Sequence, residues 1–206
     1  MLENVSKTIA EASSTIVSDE RKEVLFPLVN YIQAKLDLKQ RIQLHFICTH
    51  NSRRSHLSQI WAQTMAYHFG IKNITCFSGG TEVTAMFSKV VETLLLQGFQ
   101  VQQSVGAENP VYEIKFSKEE PSLFCFSKLF DDISNPKGEF AAIMNCSSAE
   151  NGCPFIPGAS LRIAIRYDDP KFYDGTELMD FMYMERSLEI ASEMYYIFSK
   201  LKKNKK

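Results

Sequence analysis

The chain has 206 residues, 45% of them hydrophobic and 23% charged, and a net charge of −1. These values suit one large domain, or one domain with an appendage. The near-neutral balance excludes a general attraction to nucleic acid, and no run of about 18 apolar residues is present to cross a membrane as a helix.

Five cysteines, in a chain whose start Met1-Leu2-Glu3-Asn4 lacks the basic and apolar regions of an export signal, predict reduced thiols in a cytoplasmic protein. Residues 1–17 carry Val5, Ile9 and Ile16 at loose helical spacing. Ser18 ahead of Asp19 and Glu20 reads as a helix N-cap. Val24, Leu25, Leu28, Ile32 and Leu36 continue an apolar stripe to about residue 38, with Pro27 bending or delaying the helix. Packing of this stripe on the body of the protein is favoured over a dimer contact or a partner-docking role. Residues 1–40 are thus expected to be helical.

Ile42 to Ile47 is an apolar run that reads as a strand, and a helical pattern begins near Ser55. Between them lies Cys48-Thr49-His50-Asn51-Ser52-Arg53-Arg54-Ser55. Five residues separate Cys48 from Arg54, enough for backbone N–H groups at a helix N-terminus to curl around one tetrahedral oxyanion. Arg54 can close the ring with a fork of donors. The same field favours Cys48 as the attacking thiolate, and Ser55 can hydrogen-bond to its sulfur. Arg53 adds a second cation, available to the anion or to solvent. His50 would strain the loop if its position required positive φ. The plain alternative is a buried, inert cysteine at a strand end beside two surface arginines.

Leu57, Ile60, Trp61, Met65 and Phe69 give the next helix one apolar face, closed by Gly70. Ile74, Cys76 and Phe77 form a short strand ending in Ser78-Gly79-Gly80. Val90, Val91, Leu94 and Leu95 belong to a helix stopped by Gly98, and Phe99 to Gln103 reads as a further strand. This alternation argues a parallel sheet, with ligands bound beyond the strand C-termini, where Cys48 lies. Residues 104–138 break the pattern. Val111, Tyr112, Ile114 and Phe116, then Leu123, Phe124 and Phe126, suggest an inserted hairpin that rims the site, followed by a loop at Asp131, Asp132, Asn135, Pro136 and Gly138. Phe140 to Met144 is a fully buried strand. Leu161, Ile163 and Ile165 mark the last strand. A long terminal helix is expected to hold Leu178, Phe181, Met182, Leu188, Ala191, Met194, Phe198 and Leu201 on one side, ahead of a solvated basic tail at 204–206.

Two further constellations stand out. Asn145-Cys146 is followed after six residues by Cys153-Pro154, around a polar stretch expected to be flexible. The spacing does not suit a zinc cluster, and a chance pair of buried thiols is the plain alternative. Tyr167-Asp168-Asp169-Pro170 places an aspartate, held extended by the following proline, between the last strand and the last helix; an ordinary turn is the plain reading there.

The loop, with Asn51, Ser52, Arg54 and Ser55 in family positions, resembles the low-molecular-weight tyrosine phosphatase superfamily. The cysteine pair with Pro154 is similar to the thioredoxin-coupled arsenate reductases of that fold. The resemblance spans roughly residues 41–203, leaving the insert at about 104–138 unmatched, and implies that residues 1–40 are an N-terminal helical extension. It implies an α/β three-layer sandwich around a central, mostly parallel sheet. It also implies an oxyanion site at Thr49, His50, Asn51, Ser52, Arg53, Arg54 and Ser55, with Cys48 as nucleophile and Asp169 as general acid. Cys146 and Cys153 would relay oxidation to a mutual disulfide reduced by thioredoxin or a similar dithiol. The substrate expected on these grounds is arsenate. The alternatives are a phosphomonoester such as phosphotyrosine, hydrolysed without the cysteine pair, and a non-catalytic oxyanion-binding or redox-sensing module. No tightly bound cofactor or metal is expected. A potassium site at Asn51 and Ser78 is disfavoured because Gln59 occupies the position of its carboxylate. Cys76, Cys125, His45 and His68 read as structural, and His56 as a surface residue or a minor anion contact.

Overall fold

The computed structural model describes residues 1–104, 108–153 and 155–202. Pro154 of the cysteine pair and the basic tail at 204–206 lie outside the described residues. The chain forms α1 (Glu3–Ser14), α2 (Asp19–Asp37), β1 (Ile42–Cys48), α3 (Arg54–His68), β2 (Ile74–Gly80), α4 (Ser88–Leu96) and β3 (Gln100–Gln103). It continues through β4 (Tyr112–Lys115), β5 (Leu123–Cys125), β6 (Phe140–Met144), α5 (Ser147–Gly152), β7 (Ala159–Ala164) and α6 (Met179–Ser199).

The central sheet has four strands in the order β2-β1-β6-β7, all parallel. Its central strands must be apolar on both faces, and Phe140-Ala141-Ala142-Ile143-Met144 is buried throughout. One face presents Ile42, Leu44, Phe46, Ala141 and Ile143 to the main core, shared with α1, α2, α3, α4 and α6. The other face presents Ile47, Phe140, Ala142 and Met144 to a smaller core with Ala149 of α5, Ile156 and Phe130. The result is a three-layer α/β architecture.

The residues at 99–103 depart from the parallel scheme. β3 leaves the main sheet and pairs antiparallel with β4, which pairs with β5, so the expected hairpin becomes a three-stranded sheet. Gln100-Val101-Gln102-Gln103 has one apolar residue, too few for a strand buried on both faces. The segment after β5 reaches back to the loop that follows β1: Gly80 bridges to Leu129, and Ser127 and Lys128 hydrogen-bond to His50 O and Asn51 Oδ1.

Helix faces account for three other differences. Ser18 caps α2 by accepting from the Arg21 N–H, and α2 runs through Pro27 without interruption. Ile16 lies beyond the end of α1 and is exposed, while Val5 and Ile9 are buried. In α6 the buried face is Tyr183, Arg186, Ser187, Ile190, Ala191, Met194, Ile197 and Phe198, with Leu178 and Phe181 exposed. The stripe follows the i, i+3, i+4, i+7 spacing, which polar Ser187 and charged Arg186 obscure in sequence. Ser187 is there because its hydroxyl accepts from Trp61 Nε1 at 2.9 Å and donates to Gln97 Oε1 at 2.7 Å.

His45 and His56 are both fully buried, so the expectation of a surface position for His56 does not hold. Burial, reinforced by the nearby Lys128 ammonium, pushes each imidazole down to about 3. The unfolded chain therefore binds protons below about pH 6.5 that the folded chain refuses, and stability is lost as pH falls from there. The loss at pH 4 is expected to be about 3 kcal/mol per histidine. Urea midpoints between pH 7 and 4 should drop, and His56→Gln should flatten the profile; an unchanged profile in that variant would contradict the assignment.

Candidate active site

Cys48 ends β1 and is buried. The loop after it is held by its carbonyls. Thr81 N–H donates to Cys48 O, Glu82 N–H to Thr49 O and Phe87 N–H to Ser52 O, at 3.2, 2.9 and 3.0 Å. His50 O accepts from Ser127 Oγ at 2.9 Å and Thr84 Oγ1 at 3.1 Å. With the carbonyls tied outward, the N–H groups of residues 50–54 take no partner among the described residues, and a ring of donors at a helix N-terminus is the arrangement that accepts an anion. Gly80 lets β2 come this close: a Cβ there would sit 2.6 Å from Thr49 O and 2.8 Å from Asn51 N.

The left-handed residue is Asn51, at φ 44°, and not His50. Asparagine tolerates that conformation better than most residues. Its amide fixes the loop from within: Oδ1 accepts from Lys128 N–H at 3.0 Å and Nδ2 donates to Ser55 Oγ at 2.9 Å. Ser55 thus receives a proton from Asn51 and has its own free for Cys48 Sγ, 3.0 Å away. His50 Nδ1 lies 3.0 Å from Glu82 Oε2.

Arg54 opens α3. Its Nη1 donates to Tyr167 O at 2.9 Å and its Nη2 to Asp169 Oδ2 at 2.5 Å. Asp169 Oδ1 accepts from Lys171 N–H, and Pro170 begins a short 3-10 turn to Tyr173. Cys48, His50, Ser52, Arg53, Arg54 and Asp169 line one small cleft. Two of the five guanidinium N–H groups of Arg54 are engaged, leaving three for an incoming oxyanion.

Arg53 does not match its reading as a second anion-gripping cation. Its guanidinium lies 4.1 Å over the Phe87 ring, donates to Tyr183 OH at 2.5 Å and pairs with Asp174 at 2.6 Å. Burial and the Asp174 carboxylate raise the Tyr183 phenol above its usual range, so it stays a donor to that carboxylate. Arg53→Ala should lower stability by roughly 2–4 kcal/mol, while inhibition by phosphate shifts less than about threefold because the anion-facing groups of Arg54 are untouched. A tenfold loss of phosphate affinity at unchanged stability would reverse that assignment.

Cys146 follows the end of β6 by two residues and is the N-cap residue of α5, with Sγ accepting from Ala149 N–H at 3.4 Å. The same sulfur lies 3.4 Å from Thr49 Oγ1, the side chain next after Cys48. Cys48 and Cys146 belong to one apolar cluster, and Cys153 packs against it. All five cysteines are free thiols. Burial raises Cys153 above the ordinary thiol range, with Arg162 opposing. The segment between the pair is helical, contrary to the expectation of a flexible stretch. It is fastened by two side chains the sequence did not single out: Arg162 donates to Cys153 O at 3.1 Å and Glu150 O at 2.5 Å, and Arg166 pairs with Glu150 at 2.5 Å. Their alternation with Leu161 and Ile163 on an edge strand was the available signal.

Cys76 and Cys125 are core; burial raises the first and pushes the second up to about 12. Ser78 Oγ is 3.2 Å from His56 Nδ1, and Gln59 Nε2 donates to Cys76 O. Asp168 is exposed, 3.7 Å from Arg186. Among the described residues no helix is long and apolar enough to cross a membrane, and no cluster of His, Cys, Asp or Glu could hold a metal ion.

No protein-family model and no curated protein matches the chain. Solved structures do. A mutant of YwlE from Bacillus subtilis superposes with a TM-score of 0.51 at 13% identity, over 77% of this chain and 97% of its own. A low-molecular-weight phosphotyrosine phosphatase from Vibrio cholerae gives 0.50 at 14%, over 77% and 94%. A cysteine-to-serine mutant of the YwlE arginine phosphatase, carrying a phosphorylated active-site serine, gives 0.51 at 13%, over 77% and 95%. The chain therefore has the low-molecular-weight phosphatase fold.

Proposed function

We propose that the chain is a thiolate enzyme acting on tetrahedral oxyanions, and that it reduces arsenate to arsenite through Cys48, Cys146 and Cys153. The observation that supports this reading is the gathering of the three thiols at one apolar cluster beyond β1 and β6, with Cys146 Sγ 3.4 Å from Thr49 Oγ1. Core packing does not require three cysteines at the rim of an anion-accepting loop.

Arsenate binds to the N–H ring of the loop, with His50, Asn51, Ser52 and Ser55 shaping it and Arg54 forking onto two oxygens. The Cys48 thiolate attacks arsenic, and one arsenic–oxygen bond breaks. Asp169 gives its proton to the departing oxygen, which leaves as water. Cys146 thiolate then attacks the Cys48 sulfur. The sulfur–arsenic bond breaks with its electron pair left on arsenic, so arsenic(V) becomes arsenic(III) and a Cys48–Cys146 disulfide forms. Cys153 thiolate attacks Cys146, Cys48 is released, and a Cys146–Cys153 disulfide remains for an external dithiol of the thioredoxin class. The resting Arg54–Asp169 pair must open for the acid to turn to the leaving oxygen.

Hydrolysis of a phosphomonoester is the second reading. It uses Cys48, Arg54 and Asp169 alone, and the superposed structures include a low-molecular-weight phosphotyrosine phosphatase at TM-score 0.50. The two are separated by arsenite production under a thioredoxin system, wild type against Cys153→Ser. Sustained arsenite release by the wild type, falling to at most one turnover per chain in the variant, supports reduction. No arsenite from either protein, with steady phosphoester hydrolysis, supports the second reading, and equal arsenite rates in the two proteins would contradict the Cys146–Cys153 relay.

A further inference from the structure

Helix α2 reaches the arginine of the loop through a partly buried chain of polar groups. Arg21, three residues past the cap of α2, holds Glu193 of α6 with both ends of its fork: Nε to Oε1 at 2.5 Å and Nη2 to Oε2 at 2.9 Å. The same Nη2 donates to Arg166 O at 3.0 Å, and the guanidinium lies 5.0 Å over the Tyr167 ring. Tyr167 OH donates to Glu193 Oε2 at 2.7 Å. Glu193 and Tyr167 are 3% and 4% exposed. Burial first, then the Glu193 carboxylate, keeps the phenol protonated, so the direction of that bond is fixed. One peptide further, Tyr167 O accepts Arg54 Nη1 at 2.9 Å, and Asp169 holds Arg54 Nη2. Arg21 thus grips the carbonyl at 166, the ring at 167 and the acid behind them, on the one segment that orients Arg54.

We propose that Arg21 is a positioning residue for Arg54, acting through Glu193 and the Arg166–Tyr167 backbone, so that the N-terminal extension sets the oxyanion affinity of the loop. The inference rests on the oxyanion reading of that loop only for its effect on affinity; the ordering of Arg54 stands apart from it. A guanidinium is needed because one planar group must serve two carboxylate oxygens, a carbonyl and a ring face together. Without it Glu193 keeps a single phenol donor in a buried place, and the 166–169 segment loses its outer support.

The test compares full-length wild type, Arg21→Gln, Arg21→Lys and Tyr167→Phe, each well below its own melting temperature. Nitrogen-15 NMR of the Arg54 guanidinium reads its order, and inhibition by inorganic phosphate reads affinity. The expected result is a broadened or shifted Arg54 signal with phosphate affinity reduced about tenfold in Arg21→Gln, and a smaller effect in Arg21→Lys and Tyr167→Phe. A role confined to stapling helices lowers melting temperature but leaves the Arg54 signal and the phosphate affinity at wild-type values, and that result overturns the proposal. If Arg21→Gln does not fold, Tyr167→Phe decides: a wild-type Arg54 signal there also overturns it. A wild type that binds no phosphate defeats the oxyanion reading instead, and the NMR comparison still decides the positioning role.

Discussion

Cys48→Ser is expected to lower turnover of arsenate, and of any phosphomonoester the chain accepts, by about 10⁴-fold or more. The serine oxygen is a far weaker nucleophile at neutral pH, and the nearby histidines face other groups, His56 Nδ1 at 3.2 Å from Ser78 Oγ and His50 Nδ1 at 3.0 Å from Glu82 Oε2. Anion binding should survive the change. The N–H ring depends on carbonyls tied to Thr81, Glu82, Phe87 and Ser127, and Asn51 still braces Ser55. Calorimetry with phosphate should therefore find affinity within about threefold of wild type, because the donors are unchanged. Residual activity within tenfold of wild type would remove Cys48 from the chemistry. Lost phosphate binding would mean that the sulfur itself holds the loop in shape.

Cys146→Ser is expected to separate two activities that share the loop. Arsenate turnover should fall to the uncatalysed background, because the Cys48–arsenic adduct has no neighbouring thiolate to attack it. Hydrolysis of p-nitrophenyl phosphate, if the wild type performs it, should stay within about fivefold of wild type, since Cys48, Arg54 and Asp169 are untouched. The residue is buried, and its sulfur accepts from Ala149 N–H and meets Thr49 Oγ1. Serine can keep both contacts, so stability should change little. A rate of arsenite formation equal to wild type would show that reduction proceeds without the pair.

The strands and their order in chain were legible because buried parallel strands carry unbroken apolar runs, as at Phe140 to Met144. The loop was legible because its chemistry is local: Cys48, Arg54 and the helix start lie within one turn of chain. What could not be read was settled by distant partners. Arg53 looks the equal of Arg54 in sequence, and only Phe87, Asp174 and Tyr183 draw it away. The positive φ falls on Asn51 because its amide must reach Lys128 and Ser55 together. The α6 face was misjudged at Leu178 and Phe181, which are exposed, while Glu193 and Arg186 lie inside it. A charge on an apolar stripe announces a buried partner, and Glu193 was the available sign of Arg21. The β3 segment was misplaced because four residues with one apolar side chain do not declare which sheet they join.

The proposed reduction requires oxidation to pass from Cys48 to the later cysteines. The direct measurement is a single turnover with arsenate and no reductant, quenched in acid, alkylated under denaturing conditions and mapped by mass spectrometry. The prediction is one arsenite released per chain, a Cys146–Cys153 disulfide, and alkylated Cys48, Cys76 and Cys125. Recovery of all five thiols in alkylated form, or a disulfide that leaves Cys146 or Cys153 free at the end of the turnover, would contradict it.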